Sequence, residues 1–158
     1  MQKTRPTIER VPMTQIAIKF DDPRASPFRA HPTDAGADLF SNAEVSIYPG
    51  EQKLIDTGIA IKIPVGNVGL IFNRSSQGKI GIQIANGTGI IDAAYRGNLK
   101  VLLKNNGDEP YFIYPYTTRI AQLVISPVVL AEFTPWVGSE EDWLDTDRGV
   151  GGFGSTGV

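Results

Sequence analysis

Between Asn73 and Gly97 the sequence N-R-S-S-Q-G-K-I-G-I-Q-I-A-N-G-T-G-I-I-D-A-A-Y-R-G gathers most of the groups in this chain that could do chemistry. Arg74, Ser75 and Ser76 supply a guanidinium and hydroxyls suited to anionic oxygens. Asn86 offers a directional amide, Asp92 a carboxylate for proton transfer and Tyr95 an aromatic face. Together these residue types suit a polar, anionic ligand. Cysteine is absent and His31 is the sole histidine, so thiolate chemistry is excluded and acid–base work falls to carboxylates. His31 lies in a proline-flanked loop with no nucleophile-elbow sequence near any serine, which argues against a Ser-His-Asp triad.

These groups need a frame, and the frame reads as strands. Ile80, Ile82 and Ile84 alternate with Gly81 and Gln83, Asn86-Gly87 and Gly89 supply turn residues, and Ile90-Ile91 returns, the pattern of a β-hairpin with Asp92 at its mouth, facing Arg74 and Ser75. Upstream, strands are expected at 16–20, 45–48, 53–55, 59–63 and 68–72, with the apolar pair Leu39-Phe40 between the first two. Downstream they are expected at 99–103, 111–114, 119–126 and 128–133. Breakers such as Pro49-Gly50, Thr57-Gly58 and Pro64-Val65-Gly66 separate them, with no amphipathic helix between. The count reaches eleven or twelve strands in an all-β, wrapped antiparallel or mixed barrel with little helix.

A chain of 158 residues with net charge −2 fits one domain and carries no electrostatic footprint for nucleic acid. No apolar window is long enough to span a bilayer as a helix, and the first fifteen residues lack the apolar run of a secretory signal, so the expected setting is cytoplasmic, with no membrane partner. Three regions are expected: an N-terminal extension over 1–14 without periodicity, a β-barrel over 15–134, and a flexible glycine-rich arm over 135–158. Arg148 and Phe153 stand among the glycines of that arm, as do Ser155 and Thr156, which a mere linker would not need. Gly149, Gly151 and Gly154 match G-x-G-x-x-G, but neither a preceding strand nor a following helix supports a dinucleotide loop. Asp34 and Asp38, in the turn-rich lead to Leu39-Phe40, read individually as turn or capping acids.

Five segments taken in order resemble the five motifs of the homotrimeric dUTPase family: A-G-A-D-L-F-S (35–41), R-S-S (74–76), N-G-T-G-I-I-D-A-A-Y-R-G (86–97), R-I-A-Q-L (119–123) and R-G-V-G-G-F-G-S-T-G (148–157). The resemblance implies a jelly-roll-like β-clip fold and hydrolysis of dUTP to dUMP and pyrophosphate, which keeps uracil out of DNA and supplies dUMP for thymidylate synthesis. It implies that Asp92 activates the attacking water and that Tyr95 packs beneath the deoxyribose. Asn86, with the backbone near Gly89 and Ile91, would read uracil. Arg74, Ser75, Ser76 and Gln122 would meet phosphates, and Asp38 would hold Mg2+ through water. Phe153 and Gly154, with Arg148, Ser155 and Thr156, would close over the nucleotide. It also implies a homotrimer whose sites are shared between subunits. Arg119 and Arg96 read as structural cations.

Two positions depart from the family pattern. Asn73 stands where proline is usual, which is expected to loosen the loop before Arg74, and Asn98 replaces a frequent glutamate without touching a chemical residue. The related dCTP deaminases need a glutamate ten residues after the motif aspartate, where this chain has Leu102. A non-catalytic nucleotide-sensing trimer is the other alternative, against which the intact Asp92 and arm both speak.

Overall fold

The computed structural model describes residues 13–152. The readings made for Phe153, Gly154, Ser155 and Thr156, and almost all of those for the 1–14 extension, lie outside that range.

Eleven strands account for most of the described regular structure. They are β1 (Ala17–Phe20), β2 (Ala37–Phe40), β3 (Val45–Ile47), β4 (Gln52–Asp56), β5 (Ile59–Lys62), β6 (Asn67–Phe72), β7 (Ile82–Ile84), β8 (Gly89–Ile91), β9 (Lys100–Asn105), β10 (Tyr111–Ile113) and β11 (Arg119–Pro127). Every ladder is antiparallel, in the orders β2-β11-β6-β8, β4-β9-β7, β1-β5 and β10-β3. Splitting the strands among several sheets lets each bury one face toward a shared interior, which is why the sequence alternates with period 2. The inward positions are β-branched or leucine: Leu39, Ile47, Ile55, Ile59, Ile71, Ile82, Leu99, Val101, Leu103, Ile113 and Ile120 are all essentially inaccessible. This is the jelly-roll-like β-clip expected from the resemblance.

Leu103 has no exposure and sits on β9 between β4 and β7, opposite Lys53 and Ile84. Leu103→Ala is expected to lower unfolding free energy by about 2–5 kcal/mol, the usual cost of a buried Leu→Ala cavity. Urea unfolding of the variant against the parent chain checks this.

Several local expectations need correction. The two arms of the expected hairpin do not pair with each other: β7 pairs with β9, whereas β8 pairs with β6. Ile80 is outside the strand and over half exposed, because Gly78–Gly81 turns and Gly81 adopts a φ of 79°. Ser75–Gly78 forms a single helical turn, α1. Residues 128–133 make no strand, and Val129, Leu130 and Phe133 project outward at 88%, 74% and 95% exposure. The region expected to be arm contains α2 (Glu140–Leu144), whose Ser139 cap accepts from the Asp142 amide at 3.0 Å. Trp143 of this helix packs against Trp136, which precedes it, with ring centroids 5.5 Å apart. No described helix is long and apolar enough to cross a membrane.

Candidate functional site

The groups expected to form the site fall into two clusters on one chain. The first lies on the β2-β11-β6 side of the larger sheet. Gln122 on β11 sits opposite Asp38 on β2 and Phe72 at the end of β6, so the ladder brings motif residues distant in sequence to one level. From the loop after β6, the Arg74 Nε donates to Asp38 Oδ1 at 2.7 Å, and its Nη1 lies 3.3 Å from Ser76 Oγ. Arg119 Nη1 stands 3.2 Å from the other Asp38 oxygen, with its guanidinium 5.2 Å above the Phe28 ring. Arg119 is therefore the internal ion-pair partner that its sequence context suggested. Asp38 is more than a turn acid: one partly buried carboxylate orients two arginines. Asp34 fits the simpler reading, accepting from the His31 amide within a turn at 2.9 Å.

Gln122 has a structural duty that the sequence did not reveal. Its Nε2 donates to the Asn73 carbonyl at 2.9 Å, and its side chain lies so close to Gly36 that a Cβ there would fall 2.4 Å from Oε1. The glycine of A-G-A-D is thus a clearance for Gln122. Nor does Asn73 simply loosen the loop, since its Nδ2 donates to the Ile82 carbonyl at 3.0 Å and ties the loop to β7. This side-chain tether supplies a restraint that proline would have supplied through φ. Ser75 and Ser76 open α1 and are exposed.

The second cluster follows β8. In the β6–β8 ladder Gly69 opposes Ile91 and Gly89 opposes Ile71, each glycine leaving room for the isoleucine across from it. This close approach delivers Asp92 directly into a turn in which the Tyr95 amide donates to the Asp92 carbonyl at 3.0 Å. The Asp92 side chain and the Tyr95 ring are both accessible. Arg96 closes the turn by donating to the carbonyls of Ala93 and Tyr95 at 2.6 and 2.7 Å, the structural use expected of it. Asn86 is exposed at the tip between β7 and β8, where Gly87 takes a φ of 76°. Beneath it lies a cavity of about 210 Å³ whose lining includes Ile71, Ile84, Asn86, Gly89 and Leu102. A leucine there carries no proton.

Among the described residues, no hydrogen bond or ion pair joins the Asp38–Arg74–Gln122 cluster to the Asp92–Tyr95 turn within one chain. The expectation that Asp92 faces Arg74 and Ser75 across the hairpin mouth is thus not met by any such contact: in the antiparallel β6–β8 register Ile91 opposes Gly69 and Gly89 opposes Ile71, so Asp92 leaves β8 at the end away from Phe72 and Arg74. Arg148 makes no hydrogen bond or ion pair with either cluster among the described residues; its Nε donates to the Gly151 carbonyl at 2.9 Å.

No group of three or more His, Asp or Glu side chains is assembled for a metal among the described residues. Asp38 nevertheless suits an outer-sphere role: each oxygen faces one guanidinium, and a carboxylate has about four lone-pair sites, so acceptor capacity remains for metal-bound water. Mg2+ retains water and shares phosphate oxygens, so it does not require a cage made wholly of protein.

Fold and site place the chain among all-β proteins of the β-clip type. The dUTPase family model matches residues 22–157, and the chain belongs to the dUTPase family. A deoxyuridine 5'-triphosphate nucleotidohydrolase of Rhodococcus erythropolis is 48% identical over 144 residues, covering 90% of this chain and 85% of that protein. One of Corynebacterium diphtheriae is 46% identical over 147 residues, covering 92% and 94%. Among solved structures, a variant dUTPase of Staphylococcus bacteriophage 80alpha with dUpNHpp is 32% identical with a TM-score of 0.78, covering 92% of this chain and all of that one. A variant dUTPase of phage phi11 of S. aureus, described with a coordinated structural Mg(II) ion, is 31% identical with a TM-score of 0.72, covering 81% and 99%.

Proposed function

We propose that the chain hydrolyses dUTP to dUMP and pyrophosphate at a site built from both clusters. The observation that carries this reading is the Asp92–Tyr95 turn, which holds an accessible carboxylate and an accessible aromatic ring together at the end of β8. Asp92 accepts a proton from water as its oxygen attacks the α-phosphorus in line, and the bond to the bridging oxygen breaks to release pyrophosphate. Tyr95 lies against the deoxyribose, where an additional 2'-hydroxyl would collide with the ring. Asn86 and the backbone at Gly89 and Ile91 read the uracil edge. Arg74, Ser75, Ser76 and Gln122 meet the phosphates, with Asp38 keeping Arg74 oriented until they arrive.

Mg2+, with Asp38 accepting from its water shell, would offset phosphate charge. The lack of a hydrogen bond or ion pair between the two clusters among the described residues supports a homotrimer in which neighbouring subunits supply complementary halves of each site. The barrel domain spans 15–134, with its last strand ending at Pro127, and the segment over 135–158, including Arg148, Phe153, Gly154, Ser155 and Thr156, completes a neighbour's site. The setting is cytoplasmic, and dUMP production serves pyrimidine deoxyribonucleotide synthesis.

Incubation with dUTP or dCTP plus Mg2+, followed by product separation, tests the reaction. The expected result is dUMP and pyrophosphate from dUTP, with no dUTP formed from dCTP. Release of ammonia from dCTP would identify a deaminase instead.

A further inference from the structure

Tyr95 is restrained at both ends. Its backbone belongs to the Asp92 turn, while its Oη donates to the Asn98 carbonyl at 2.9 Å. That carbonyl belongs to the same planar peptide unit as the Leu99 amide, which donates to Ile59 at 2.7 Å. One peptide therefore connects the phenol to the start of β5. The Asn98 side chain adds a second anchor: its Nδ2 donates to Asp56 Oδ1 at 3.1 Å, and the same oxygen accepts from the Gly58 amide at 2.7 Å. Asn98, whose departure from the family pattern alters no residue assigned to chemistry, meets Tyr95 through its carbonyl.

The ring also needs Gly97. A Cβ there would lie 2.5 Å from Tyr95 Oη, 2.8 Å from Cζ and 3.2 Å from Cε2. Gly97 is not among the positive-φ glycines, so its requirement is steric and alanine fits its backbone. A methyl group at this position would push the phenol away from its resting place.

We propose that Gly97, Asn98 and Asp56 are positioning residues for Tyr95 and thereby determine how strongly the site rejects ribonucleotides. The proposal rests on the reading of Tyr95 as the ring against the sugar. Exclusion of one hydroxyl depends on contact distance, because short-range overlap is relieved as soon as the ring moves away from it. A small displacement of the ring thus changes sugar selectivity without removing any group that touches nucleotide.

The test compares kcat/KM for dUTP and UTP in the full chain, its Gly97→Ala, Asn98→Ala, Asp56→Ala and Asp56→Asn variants, and Tyr95→Ala. Fluorine NMR of fluorotyrosine-labelled protein, with the Tyr95 resonance assigned through Tyr95→Phe, reports the ring independently of activity. Gly97→Ala and Asp56→Ala are expected to shift that resonance and lower the dUTP-to-UTP ratio. For Asp56→Ala the fall should be about two- to ten-fold, the worth of one hydrogen bond. Asp56→Asn keeps an Oδ1 acceptor and should retain the parent ratio and resonance. Asn98→Ala keeps the carbonyl but loses the Asp56 anchor, so it carries the test with Gly97→Ala if Asp56→Ala does not fold. An unchanged ratio and resonance in the positioning variants, with a reduced ratio in Tyr95→Ala, would overturn the proposal while leaving the sugar-facing role intact. An unchanged ratio in Tyr95→Ala would instead overturn that role and the proposal together.

Discussion

Asp92→Asn is expected to bind dUTP nearly as tightly as the parent chain but to hydrolyse it about two to four orders of magnitude more slowly, the usual contribution of a positioned base. The substitution keeps the shape of the side chain and removes its ability to accept the water proton as a carboxylate. It should also leave the turn intact, since the Tyr95 amide donates to the Asp92 main-chain carbonyl. Single-turnover rates measure the chemical step, and calorimetry with a non-hydrolysable dUTP analogue measures binding. A near-parent rate would remove Asp92 from the chemistry. A comparable loss in binding would make it a ligand-holding group instead of a base.

Two chains expected to be inactive alone, one carrying Asp92→Asn and the other truncated before Arg148, should recover about a quarter of parent activity when unfolded together and reassembled at equal ratio. In a cyclic trimer with shared sites, an intact site takes its aspartate from a truncated chain and its final segment from a substituted chain. Random association meets each condition half the time, which gives the quarter. If a single chain supplied both parts, every site would lack one of them and recovery would be nil. Sizing data must show that mixed trimers form; zero recovery in their presence would refute the shared-site arrangement without affecting dUTP hydrolysis. The separation of the Asp38–Arg74–Gln122 cluster from the Asp92 turn motivates the experiment.

Most strands were legible because half-buried antiparallel strands impose period 2 on their own sequence, as in Val68–Phe72 and Arg119–Ser126. What the sequence could not reveal was pairing. Ile82–Ile84 and Gly89–Ile91 look like two arms of one hairpin, yet their partners, β9 and β6, lie elsewhere in the chain. The apolar run 128–133 resembles a strand, but the described chain offers it no ladder. α2 carried a readable signal in Ser139 followed by Glu140, Glu141 and Asp142, a helix cap with an acidic first turn, although its glycine-rich continuation suggested an arm. Within the candidate site, residue types were readable, whereas the Asp38–Arg74 pair and the Gln122 bond to Asn73 cross long sequence separations and needed the fold.

The divergence of β7 and β8 has a further consequence. A strand has two hydrogen-bonding edges; β7 commits one to β9, and β8 commits one to β6. Near the Asn86-Gly87 tip the remaining edges belong to strands that form no ladder with each other. A flat heterocycle with alternating donors and acceptors could fill such an opening as a substitute rung, matched by its order of hydrogen-bonding groups and requiring no charge of its own. Selectivity for the base would then be written in main-chain atoms, which point mutations of side chains leave largely in place.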